Sequence, residues 1–149
     1  MTLYFEDLDI ERVFVSRGRT VTEADIVAFA GLSGDFFELH TNEEFAKQSM
    51  YGRRIAHGAL VFSLSTGLTA QMSLISEAVL AFYGLDRLRF TQPVFIGDTI
   101  TVSKRVVEKK ELDAGRGLVT FDTKVVNQHG EIVVIYHDKI LMKRRASRT

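Results

Sequence analysis

The stretch Gly58-Ala59-Leu60-Val61-Phe62-Ser63-Leu64-Ser65-Thr66-Gly67-Leu68-Thr69-Ala70-Gln71-Met72 decides the fold. It carries no charged residue. Leu60, Leu64 and Leu68 recur at helical spacing, and Ala59, Ser63, Thr66, Gly67 and Ala70 form a second stripe of small residues. A helix without a charged face must be enclosed. A stripe of small side chains lets another backbone come close. Ser63, Ser65, Thr66 and Thr69 interrupt the apolar run, and it is shorter than the ~20 residues that cross a bilayer. A buried core helix is therefore expected, and no membrane partner.

The chain after that helix reads as its host. From Val119 to Val125, apolar residues and Thr123 hold the odd positions and Thr120, Asp122 and Lys124 the even ones. That is the period of a half-buried strand. Thr99 to Val107 alternates too, with Ile100, Val102 and Val106 on one face, and Leu88 and Phe90 alternate with Arg87 and Arg89. Glu131 to Met142 is a long strand whose Ile132-Val133-Val134-Ile135 run predicts burial on both faces. Asn127 to Gly130 is a turn and Gly115-Arg116-Gly117 a looser one. Short connections make neighbouring strands antiparallel. The fold class is α+β: an antiparallel sheet wrapped around one apolar helix.

Before the central helix, residues 12–21 read as short extended pieces around Arg17-Gly18-Arg19. Thr22 is an expected N-cap, with Glu23 and Asp25 in the first turn, where the helix dipole favours acids. Ile26, Phe29 and Ala30 fall at helical spacing, and Gly31 and Gly34 end that helix. A second short helix is expected from Asn42 to about Gln48.

Composition bounds the function. A chain of 149 residues favours one domain, 1–149. Nineteen basic residues balance nineteen acidic ones, which argues against a nucleic-acid or anionic-membrane partner. The basic cluster Lys143, Arg144, Arg145 and Arg148 is expected to be a solvated, partly disordered tail, 143–149. The absence of cysteine excludes disulfides, thiolate chemistry and cysteine zinc sites. Glu6, Asp7, Asp9 and Glu11 stand where a secretory signal would need basic and apolar residues, so a cytoplasmic protein is expected.

Two places could carry chemistry. In Ser33-Gly34-Asp35-Phe36-Phe37-Glu38-Leu39-His40, a carboxylate and an imidazole lie five residues apart in a loop flanked by aromatic residues. Such a pair can exchange protons near neutrality. On a regular helix their side chains would diverge by about 140°, and on a strand they would take opposite faces. Only an irregular turn could bring them together, so from spacing alone capping or surface roles are the first reading. No third ligand is apparent beside them, so no metal is expected. The second place is Arg54-Ile55-Ala56-His57-Gly58-Ala59, at the mouth of the apolar helix. The first N–H groups of a helix lack internal acceptors and could hold an anionic oxygen. Equally, Gly58 could simply permit close helix–sheet packing. His129 lies in a predicted turn and His137 follows the core of the last strand, and both read as surface or structural.

These residues resemble the MaoC-like dehydratase family, which includes R-specific enoyl-CoA hydratases. Gly34-Asp35-Phe36 with Leu39-His40-Thr41 is similar to its hydratase motif. Arg54-Ile55-Ala56-His57-Gly58 with Leu60, Ser63 and Gly67-Leu68 is similar to its central-helix segment. Phe90, Pro93-Val94-Phe95-Ile96-Gly97-Asp98-Thr99 and Asn127-Gln128-His129-Gly130-Glu131 resemble its later strands and turns. The resemblance implies a hotdog fold, at least a homodimer, and reversible addition of water to a 2-enoyl-CoA thioester. It implies Asp35 and His40 as the catalytic pair, Gly58 as the amide that polarises the thioester carbonyl, and Thr66 as a supporting hydroxyl. No cofactor is implied; coenzyme A enters with the acyl-CoA substrate. The usual motif carries asparagine and proline where this chain has Phe37 and Glu38.

Overall fold

The computed structural model describes residues 1–72, 74 and 77–145. A single 3-10 turn (Phe5–Asp7) precedes the short strands β1 (Val13–Val15) and β2 (Arg19–Thr20). Helices α1 (Glu23–Ser33), α2 (Glu38–Thr41), α3 (Glu43–Lys47) and α4 (Gly58–Ala70) follow, then the long strands β3 (Val79–Phe90), β4 (Thr99–Glu111), β5 (Arg116–Val126) and β6 (Ile132–Lys143). The sheet order is β1-β4-β5-β6-β3, with β2 added to β4, and every pairing is antiparallel. The four long strands are sequential hairpin partners except β3, which pairs with β6 and stands at an edge.

Local signals position the helices. The Thr22 hydroxyl accepts from the Asp25 N–H and the Asp25 carboxylate accepts from the Thr22 N–H, a reciprocal cap that starts α1. Gly31 stays inside α1, contrary to the sequence reading, and the stop is Gly34 alone. Its left-handed φ of 79° costs a residue without Cβ little. Asn42 caps α3 by accepting from the Phe45 N–H.

The core lies on one face of the sheet in two clusters. Under α4, Leu60, Val61 and Leu68 meet Ile100 and Val102 of β4, Val125 of β5, and Val133, Val134 and Tyr136 of β6. Beyond the end of α4, Leu3, Phe5 and Leu8 cover Val106, Val119, Phe121, Ile140 and Met142. Between the clusters, buried Lys104 of β4 bonds Thr123 of β5 and Asp138 of β6. The alternation named Ile100, Val102 and Val106; the residue between them on the same face is a lysine.

Two expectations change. The small-residue stripe of α4 is not packed against a backbone of this chain, since Ala59, Ser63, Gly67 and Ala70 are exposed. The enclosed face carries Leu60, Val61, Ser65, Leu68 and Thr69, with Leu64 half-buried. The basic C-terminus is not wholly a solvated tail. Lys143 ends β6, Arg144 reaches Glu6 and Glu111, and Arg145 reaches Asp7. These arginines hold the N-terminal turn against the sheet by charge-assisted contacts. Arg148 lies outside the described residues.

Candidate active site

The segment joining α1 to α2 makes the bend that spacing alone could not supply. Gly34 turns the chain, and the Asp35 N–H donates to the Ser33 hydroxyl, which donates to the Phe29 carbonyl. The Asp35 carboxylate accepts from the Phe37 N–H at 3.2 Å. Phe37 then stands at an extended φ, ψ of −54°, 133° before the one-turn helix α2. His40 is on that helix rather than in an open loop. The Thr41 hydroxyl closes the turn on the Phe36 and Phe37 carbonyls. Glu38 sits in the first turn of α2, where the dipole favours it, and accepts from the Asn42 amide. Phe37 packs edge-on to His40 and Phe45.

Asp35 and His40 converge. An Asp35 carboxylate oxygen, a ring nitrogen of His40 and a ring nitrogen of His57 all lie within 4.8 Å of one another. His57 is the residue the sequence reading left without a role. Three ligand-type groups are therefore gathered where only two were expected.

The hydrogen bonds set both tautomers. A carbonyl oxygen only accepts, so His40 Nδ1 carries the proton that meets the Ile55 carbonyl at 2.8 Å, and Nε2 keeps a lone pair. By the same argument His57 Nε2 carries the proton that meets the Asp35 carbonyl at 2.9 Å. The rings stack, with centroids 3.9 Å apart and planes 29° from parallel. Burial pushes the His40 pKa down, and proximity to His57 adds to that. The Ile55 hydrogen bond and the Asp35 charge oppose both. A neutral imidazole with a free Nε2 lone pair beside a carboxylate is equipped to take up and release protons.

Gly58 is the first residue of α4, directly after His57. It faces a cavity of about 550 Å³ that also meets Tyr51, Ala59, Phe90, Pro93 and Val134. A Cβ at Gly58 would stand 2.9 Å from the Phe90 ring, so the position is also closely packed. Both readings of this glycine stay compatible with the geometry.

Thr66 is not brought to the pair within one chain. Its hydroxyl donates to the Ser63 carbonyl at 2.7 Å. It lines a separate cavity of about 70 Å³ with Thr69, Phe82, Lys104, Tyr136 and Asp138. Two turns of helix, roughly 12 Å of rise, separate it from Gly58. His129 is exposed in its turn, and His137 sits half-exposed on the sheet surface, 3.6 Å from Asp122.

A curled antiparallel sheet carrying an apolar helix, with the acid–imidazole pair at the helix mouth, defines a hotdog domain. The same fold occurs in a Mycobacterium tuberculosis protein described as a double hotdog, with a TM-score of 0.85 at 22% identity over 99% of this chain and 46% of that one. The MaoC like domain family matches residues 8–128, and the chain belongs to that family of dehydratases. An (R)-specific enoyl-CoA hydratase of Rhodospirillum rubrum is 38% identical over 136 residues, which is 89% of this chain and 90% of that protein. Protein MaoC of Klebsiella aerogenes is 42% identical over 99 residues, 66% of this chain but 29% of its own length. A structure described as a monoamine oxidase regulatory protein from Archaeoglobus fulgius superposes with a TM-score of 0.91 at 43% identity, over 97% of this chain and 96% of that one.

Proposed function

We propose that this chain is an enoyl-CoA hydratase, running in reverse as a 3-hydroxyacyl-CoA dehydratase, and that it acts with R specificity. The observation that carries the reading is the convergence of the Asp35 carboxylate and a His40 ring nitrogen beside the N-terminus of α4. The pair holds one water over the double bond. As the water oxygen bonds to the β-carbon, the pair takes up the proton the water loses and returns one proton to the α-carbon, so that the elements of one water are added and the pair ends as it began. His40 is assigned the accepting role, because its Nε2 lone pair is free and burial favours the neutral ring at rest. The Gly58 N–H is assigned to the thioester oxygen, which gains negative charge as the β-carbon is attacked. One such donor is worth about 3 kcal/mol in acyl-transfer sites. No metal enters this reading, which needs only proton transfer between the pair and one water.

Coenzyme A arrives as part of the substrate, along the cavity beside Tyr51 and Pro93. Arg54 is engaged by Glu23 and Glu43. Arg53 stacks on Phe95 at 3.8 Å and is the cation proposed for the phosphates. A homodimer belongs to the proposal. The edge strand β3 exposes Leu80, Phe82, Tyr83 and Phe90, and the small-residue face of α4 is uncovered beside it. A second copy would pair that edge, cover that face and bring a second α4 with its Thr66 near the site. No helix among the described residues is long and apolar enough to cross a membrane. The cytoplasm is the compartment proposed, since the substrate carries coenzyme A.

Incubation of the purified protein with crotonyl-CoA tests the reading. Loss of the conjugated enoyl absorbance without free thiol is expected, with a 3-hydroxy product consumed by an R-specific dehydrogenase. Release of thiol would make it an acyl-CoA thioesterase. Binding without turnover, unchanged in Asp35→Asn, would make it a non-catalytic acyl-CoA binding protein.

A further inference from the structure

His57 is 2% exposed and stands at the N-cap of α4, yet its side chain does not cap that helix. The ring reaches back 22 residues instead, to the Asp35 carbonyl. Phe29 of α1 closes it edge-on at 4.9 Å, and the His40 ring lies against its face. The Ile55 carbonyl that holds His40 Nδ1–H comes from the same short segment. So Ile55 to Gly58 supplies four parts of the site: a carbonyl for His40, a donor for the Asp35 main chain, an aromatic face, and the first amide of α4.

We propose that His57 is a positioning residue for the Asp35–His40 pair, holding the Asp35 main chain by its Nε2–H and the His40 ring by its face. This rests on the proton-transfer reading of that pair. The role uses only the Nε2–H of His57 and one face of its ring. Its Nδ1 is buried and has no hydrogen-bond partner. The titratable groups gathered on it are Asp35 and His40, and its contact from α1, Phe29, is uncharged. A ring that only filled space would be replaceable by any ring of similar size.

Two variants separate the contacts. His57→Phe keeps an aromatic face and loses the donor; His57→Gln keeps an amide donor at a similar reach and loses the face. His57→Phe is expected to lower kcat roughly 10- to 100-fold with little change in KM, the scale set by a sub-ångström misplacement of reacting groups. His57→Gln is expected to recover most of that loss. Wild-type kcat and an unchanged pH profile in a folded His57→Phe would overturn the proposal. Nitrogen-15 NMR of the imidazoles reads the same point without any turnover. His57 is expected to carry its proton on Nε2 in the wild type, and His40 is expected to lose its fixed Nδ1–H tautomer in His57→Phe. A wild-type His57 whose Nε2 carried no proton would overturn the proposal even if His57→Phe did not fold. A chain inert towards enoyl-CoA but with this NMR behaviour would remove the hydratase and leave the positioning intact.

Discussion

Two clusters of ionisable side chains flank α4, and the contrast between them shows what separates structural charge from chemical charge. Beneath the helix, Lys104, Thr123 and Asp138 are buried and bonded to one another, and Tyr136 bonds Ser65 beside them. Burial pushes the Lys104 pKa down and the Asp138 charge pulls it back up; burial raises the Tyr136 phenol beyond its ordinary range. At the mouth of the helix, Asp35 is exposed and His40 half-exposed. There the protein spends one nitrogen of each imidazole on a backbone carbonyl and leaves the other unpaired. The inner cluster answers each of its charges internally. The outer one fixes its rings with the backbone and keeps spare lone pairs for something else.

The largest effects should fall on opposite observables. Asp35→Asn and His40→Gln are each expected to cut kcat by about 10²- to 10⁴-fold, the range of general acid–base catalysis, with no change in melting temperature. Crotonyl-CoA turnover with a parallel thermal melt checks this, and a loss confined to the melt would erase the contrast. In the inner cluster, Asp138→Asn strands a buried lysine and is expected to cost about 3–5 kcal/mol in urea unfolding. The double variant Lys104→Met with Asp138→Leu should regain most of that stability, and turnover per folded molecule should stay near wild type.

Gly58→Ala sharpens the boundary between the regions. Overpacking against Phe90 predicts a loss of about 1–3 kcal/mol, relieved by adding Phe90→Leu. If Gly58 served packing alone, that double variant would restore kcat together with stability; if its amide must approach a thioester oxygen, kcat stays low. The smallest effect expected is on the pH profile. His40 must be neutral to accept a proton, and its pKa is lowered. The acid limb of kcat/KM should therefore fall below the ordinary imidazole value of about 6.5, so activity persists to lower pH than a free histidine would allow. A limb at or above that value would contradict the burial of His40.

Much of this was legible in the order of residues. The uncharged run from Gly58 to Met72 required a host, and the alternation in Thr99–Val107 and Val119–Val125 supplied one. The Thr22 cap, the Gly34 stop and the Asn42 cap could be read because capping chemistry is local. The resemblance named Asp35, His40 and Gly58 as site residues, whereas their spacing left the first two diverging. Lys104 was hidden because an alternation count registers apolar residues and passes over a lysine on the buried face. His57 was hidden because its partners are the Asp35 carbonyl and the His40 ring, which no neighbouring residue announces.

The sequence by itself determined α1, the apolar helix and the alternating strands that enclose it, because helix and strand periods depend on neighbours three, four or two positions away; it missed the one-turn helix α2 and the first part of β3. Tertiary structure alone decided that an aspartate and two histidines share one small volume, that Thr66 lies elsewhere in its own chain, and that the small-residue face of α4 is left uncovered. Those outcomes depend on where a bend after Gly34 directs the chain relative to the start of α4, and that direction is set by contacts between segments, not within them.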